Sequence, residues 1–254
     1  MVLDPLTHLR KRRLRQSTRL IFRAALKCRR FHTASAITRH SKHCPTRDCI
    51  MSILLSRQQI QEQMGVKFAD GIKRFPKFSV YVPSTAVPEE ASQMLLRIEK
   101  EFSSSLPPSF SNAAMEWDLG RLVLGCFDFA EDGDYAGRVS KLNAATPGCE
   151  WWGDRDVWET RPSDLLAISH GDPFMILLNL ETGAIHGHAV DDGSANTRLV
   201  APQLDMFLRA AGTTLLSHKE PGKREAFVGD LVAELEATES TPFWTELAMM
   251  AEEQ

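Results

Sequence analysis

The chain of 254 residues has only five cysteines, an odd number, and no CxxC pair. That usage gives no disulfide framework, and a reducing cytoplasm is the expected compartment. No apolar run approaches the ~20 residues of a membrane-spanning helix, so no membrane partner is expected. The phosphate cradles GxxxxGKS/T and GxGxxG are missing. So is the GxSxG nucleophile elbow, and no cysteine stands in a recognisable nucleophile context. These absences remove the usual signatures of nucleotide binding and nucleophilic catalysis. No cofactor and no small-molecule substrate are expected. Internal repeats and low-complexity tracts are also missing, which excludes a repeat array.

What is present divides sharply by charge. Residues 1–50 hold 13 Lys and Arg but only Asp4 and Asp48, a net +11; the rest of the chain holds 17 basic against 31 acidic residues, a net −14. Three readings fit the basic head. The foremost is a spurious extension, because MSILLSRQQIQEQMG from Met51 looks like an ordinary amino terminus and the composition changes just there. The second is a transit peptide, rich in Arg and poor in acids. The third is a nucleic-acid contact through phosphate neutralisation. Cys44 and Cys49 with His40 and His43 match no usual zinc spacing. Residues 1–50 are therefore left out of the fold, and nucleic acid is not an expected partner of residues 51–254.

The body reads as α+β, with a mainly antiparallel sheet flanked by helices at both ends. Ile60, Met64 and Phe68 mark a helix over 56–68. The prolines at 76, 83 and 88 make 71–88 an extended connection, and Pro88 opens a helix to about Ser103. A strand follows over Arg121–Phe129, and Asp132-Gly133-Asp134 is a turn. Asp164–Ser169 is a short strand. Gly171-Asp172-Pro173 then launches a hairpin, Phe174–Leu180 and Ala184–Val190, joined through Glu181-Thr182-Gly183. A helix begins near Pro202 and stops at Gly212, and the tail carries two more helical patterns, around Phe227-Leu231-Leu235 and Phe243-Leu247-Met250. In domain terms, 51–84 is an N-terminal helix and connection, 85–212 the α+β core, and 213–254 a C-terminal helical extension.

Two constellations carry chemistry. His186 and His188 form an HxH on one strand, so both rings face the same side. With His170, Asp191 and Asp192 nearby in sequence, a His/His/carboxylate metal centre is one reading, and a metal-dependent enzyme its consequence. HxH alone is a weak signal, and the preferred expectation is no metal and no catalysis. Trp151, Trp152 and Trp158 are the second group, large amphipathic rings beside polar loops. They serve either as a cap on the core or as interface anchors. If they share one end of the sheet with Asp132, Asp134, Asp191 and Asp192, they make an aromatic centre with a negative rim.

The order of motifs resembles the SUKH superfamily, which includes fungal cell-wall assembly regulators and bacterial immunity proteins. A helix ends in LPPSF (106–110), and a short helix with Trp117 leads to Gly120 and RLVLGCFDF. DLLAIS, GDPFMILLNLETGAIHGHAVDDG and a closing LDMFLR helix follow. The resemblance covers about residues 85–212. The family's usual Asn-Gly-Gly after the second helix is replaced by Glu116-Trp117-Asp118-Leu119-Gly120. The resemblance implies an antiparallel sheet flanked by helices and a protein partner, most often a toxin from neighbouring bacteria. It implies no catalytic residues. The acidic body suits a basic toxin domain. A regulatory or scaffolding protein of the cell-wall regulator type is the alternative.

Overall fold

Strands lie in the sheet in the order in which they occur in the chain. A computed structural model describes residues 52–130, 132–144, 164–189, 196–217 and 222–252, all within one compact unit, Ser52–Glu253. Among these residues, β1 (Leu122–Leu124), β2 (Phe127–Ala130), β3 (Leu165–His170), β4 (Phe174–Asn179), β5 (Ile185–Ala189) and β6 (Arg198–Ala201) form one sheet in the order β1-β2-β3-β4-β5-β6. Every neighbouring pair is antiparallel. The helices are α1 (Arg57–Arg74), α2 (Pro88–Phe102), α3 (Pro108–Glu116), α4 (Tyr135–Ala144), α5 (Leu204–Leu216), α6 (Arg224–Glu234) and α7 (Thr241–Glu252). The α+β class read from the sequence is the class observed.

The central hairpin forms where the apolar runs and the Glu181-Thr182-Gly183 turn place it. Phe174 lies opposite Ala189 and Leu178 opposite Ile185. Asn179 organises the turn, its Oδ1 accepting from the N–H groups of Glu181 and Thr182. Side-chain alternation splits the sheet into two faces. One carries Phe127, Phe129, Leu166, Phe174, Ile176, Leu178, Ile185 and Val200 into the main core, against Phe207 and Leu208 of α5 and Phe243 and Trp244 of α7. The other carries Asp128, His170, Met175, Leu177, His186 and His188.

Elsewhere the structure corrects the sequence reading, each time for a local physical reason. The strand expected over Arg121–Phe129 is two strands, because Gly125 takes φ +64° and turns the chain back at Cys126. Of the connection expected to be extended over 71–88, residues 71–81 are not extended, whereas Val82 and Val87 are. Helix α1 runs to Arg74, held at its start by a capping box between Ser56 and Gln59, and a 3-10 helix, Pro76–Tyr81, folds back after it. Arg198–Ala201 adds an edge strand before α5. Gly212 does not end α5, which continues to Leu216. A Cβ on Gly212 would stand 2.8 Å from Ile60 Cδ1, so the glycine lets α1 and α5 pack closely. Helix α4 is absent from the sequence reading altogether.

The ends of the chain segment close the same core. Leu55 N–H donates to Thr213 Oγ1 (2.9 Å), and Arg209 Nε donates to Leu55 O (3.0 Å). At the other end, Phe243 and Trp244 enter the middle of the core, so the segment 213–254 supplies central packing as well as length. Gly187 gives Phe243 its space: a Cβ there would meet the ring at 3.0 Å.

Candidate functional site

Asp128 stands between the buried Phe127 and Phe129, so alternation turns it to the opposite face. A carboxylate in so apolar a strand needs a partner. Arg138 of α4 provides it, donating from one NH2 to Asp128 Oδ2 at 2.5 Å, with His170 Nδ1 3.3 Å away. A guanidinium can only donate, so this ring nitrogen accepts and a neutral His170 carries its proton on Nε2. Asp128 and His170 are also direct cross-strand neighbours. The three side chains join β2, β3 and α4 in a half-buried network. They line and adjoin a shallow cleft of about 290 Å³ bounded by Asp128, Ala130, Asp132, Asp134, Arg138 and Lys141.

The rim of that cleft is built by its own hydrogen bonds. Asp134 N–H donates to Asp132 Oδ1 (3.1 Å), and Gly133 N–H donates to Gly120 O (2.8 Å). Asp134 caps α4, its Oδ1 accepting from Gly137 N–H (3.1 Å) and from Arg97 (2.9 Å). The Gly137 bond first, then Arg97, hold the Asp134 carboxyl below the usual carboxylate range. Asp134 is thus both a rim carboxylate and a structural cap, while Asp132 is exposed.

Helix α4 also completes the sheet. β2 meets β3 in register only at Asp128 and His170. Beyond that point α4 occupies the open edge of β3. Tyr135 OH donates to Ile168 O (2.9 Å); Asn143 Nδ2 donates to Ala167 O (2.8 Å), and Ala167 N–H donates to Asn143 Oδ1 (3.0 Å). One amide side chain thereby imitates a neighbouring strand.

His186 and His188 share the second face, as their spacing requires, opposite Leu177 and Met175. His188 is buried, its Nδ1 3.1 Å from Thr197 Oγ1. His186 is half-buried. Burial lowers its pKa, against a weaker pull upward from Asp164. A histidine whose folded pKa is depressed takes up protons preferentially when unfolded, so its contribution to stability falls as pH drops below about 6.5. His186→Gln should flatten the loss of stability between neutral pH and pH ~5, read from denaturant midpoints. An acid limb as steep as that of the wild type would show that other groups set it.

Among the described residues, no three His, Cys, Asp or Glu side chains come together as a metal ion would need. Trp151, Trp152, Trp158, Asp191 and Asp192 lie outside the described residues. The sequence reading missed Arg138, Tyr135 and Asn143 because it missed their helix. Asp128 left a signal, a lone charge in the apolar run RLVLGCFDF. No helix among the described residues is long and apolar enough to cross a membrane. No family model, no curated protein and no solved structure matches this chain.

Proposed function

We propose that this chain is a non-enzymatic protein-binding module of the SUKH kind, an immunity protein that neutralises a basic toxin domain. The observation that carries the reading is the order of elements around the sheet. Helix α2 is followed by Leu106-Pro107 and α3, then by β1 and β2. Gly171-Asp172 leads into the paired strands β4 and β5, and Phe207-Leu208 lies in α5, which follows them after β6. This order supports the reading, with α4 and β6 as parts that the resemblance does not include.

Charge gives independent support. Acidic residues outnumber basic ones by 14 after residue 50, and Asp132, Glu225, Asp230, Glu236, Glu239 and Glu246 present exposed carboxylates. A surface of one sign attracts a partner of the other and raises the rate of encounter. The half-buried Asp128–Arg138–His170 network fixes the cleft behind Asp132.

The test is co-purification with the product of an adjacent toxin-like gene, together with rescue of cells from its toxicity. Asp132→Lys combined with Asp134→Ser keeps a capping side chain on α4 and removes the negative rim. Association is expected to slow by about tenfold at low salt, with a weaker salt dependence. Trp152→Ala is expected to cost on the order of 2 kcal/mol in affinity. If no neighbouring gene product binds and no rescue occurs, the immunity reading fails. A regulatory role would then be the reading to pursue.

A further inference from the structure

The corner between α1 and the 3-10 helix Pro76–Tyr81 is where the acidic body changes sign. From Gly71 to Pro88 the sequence contains no Asp or Glu, although the chain after residue 50 has 31 of them. Within that stretch Lys73, Arg74 and Lys77 are exposed. All three lie within two residues of Phe75, whose surface is 55% exposed, and Pro76 beside it is exposed too.

The corner is held in shape from behind. Phe75 packs on Phe78 with ring centroids 5.5 Å apart, Phe78 meets Tyr81 edge-on at 5.7 Å, and Tyr81 stacks on Phe68 of α1 at 5.3 Å. Phe75 N–H donates to Gly71 O and Val82 N–H to Ser79 O, so backbone bonds close both sides of the corner. A phenyl ring left exposed at such a turn forgoes the free energy of burial, which a covering apolar surface would recover.

We propose that this corner docks the protein peripherally on an anionic lipid surface. The ring and proline enter the boundary between headgroups and acyl chains, while the three cations meet lipid phosphates and carboxylates. Charge complementarity selects this occupant. The acidic remainder of residues 51–254 is repelled by the same surface, so within that body approach is favoured through the corner, which sets its orientation. Nucleic acid is the weaker fit: sequence-tolerant strands stack on successive free ring faces, whereas Phe68, Phe78 and Tyr81 spend theirs on one another. The inference goes beyond the protein-binding reading. It also reverses the expectation of no membrane partner, since a peripheral contact needs no spanning run.

Co-sedimentation of the full-length protein with phosphatidylcholine vesicles, with and without phosphatidylserine, tests the proposal. Binding is expected only with phosphatidylserine and should fall steeply with salt. Lys73→Glu with Lys77→Glu should weaken it about 25-fold or more, at a factor of about five per cation removed. Phe75→Ser should weaken it about threefold or more while leaving the salt dependence unchanged. Leu96→Ser, an exposed apolar position on α2, is the control and should bind like the wild type. All these sites are exposed, and matching thermal melts would confirm folding. The proposal is overturned if the corner variants sediment like the wild type, because the basic head or another surface then carries the binding. It is overturned equally if the wild type ignores phosphatidylserine, or if the variants lose only binding to a DNA oligonucleotide.

Discussion

Ending the chain after Ser240, which removes α7, is expected to abolish cooperative folding. Glu252 of the helix pairs with Arg224 of α6, and its inner face buries Phe243, Trp244, Leu247 and Ala248. Phe243 lies 4.6 Å from the Phe174 ring and stacks on Phe127 at 6.3 Å. Trp244 packs on Phe207 at 5.9 Å and donates its indole N–H to Val200 O at 3.2 Å. Large-to-small changes at such positions cost about 3–5 kcal/mol each, and a domain has only about 5–15 kcal/mol in all. Losing four buried side chains together exceeds that margin. Phe243→Ala alone should cost about 3–5 kcal/mol by denaturant titration. A truncated protein that still melts in one sharp transition near the wild-type temperature would show α7 to be peripheral.

Asn143→Leu has the next largest expected effect. The side chain is nearly isosteric, so packing changes little, but both hydrogen bonds to Ala167 vanish. An unsatisfied backbone group that is shielded from water costs about 1–3 kcal/mol, and here an N–H and a C=O are orphaned at once. A loss on the order of 2–4 kcal/mol is expected. Asn143→Asp separates the two bonds: it keeps the acceptor for Ala167 N–H and sets a carboxylate against Ala167 O. It should therefore be destabilising at neutral pH and recover in acid, where the protonated carboxyl can donate again. Equal stability of Asn143→Leu and the wild type would mean that water satisfies the edge of β3.

Much of the sheet is legible in the sequence, for reasons that can be named. Phe174–Asn179 and Ile185–Ala189 are apolar, β-prone runs around a five-residue connection that contains Glu181-Thr182-Gly183, and no helical reading competes with them. The helices α2, α6 and α7 carry apolar stripes at helical spacing. Helix α4 carries one too, since Tyr135, Ala136, Val139 and Leu142 are its buried residues, with Asp134 as its cap. The Asp-Gly-Asp before it reads as a turn, and that local signal masks the stripe. Gly212 misleads in the same way. As a sequence symbol it stops a helix, but its role is set by Ile60, more than a hundred residues away. The candidate site was legible only in part, because Asp128 announces a missing partner without saying that α4 brings it. Asp132 and Asp134 were visible as acids, whereas the capping duty of Asp134 depends on a helix that had first to be recognised.

Because strand order equals chain order, every sheet contact joins strands that follow each other directly; all but β2–β3, which spans 131–164 and includes α4, close over short connections. The longest closures fall towards the two ends of the described chain, where Leu55 meets Thr213 and Phe243 meets Phe127. Short closures cost less entropy and come earlier. The hairpin β4–β5 is thus expected in the folding nucleus, with α1 and α7 docking after the rate-limiting step. In stopped-flow experiments Ile176→Val should act mostly by slowing folding, and Phe243→Leu mostly by hastening unfolding. How long the protein stays folded would then be governed by its two ends, while the middle of the chain governs how fast it folds.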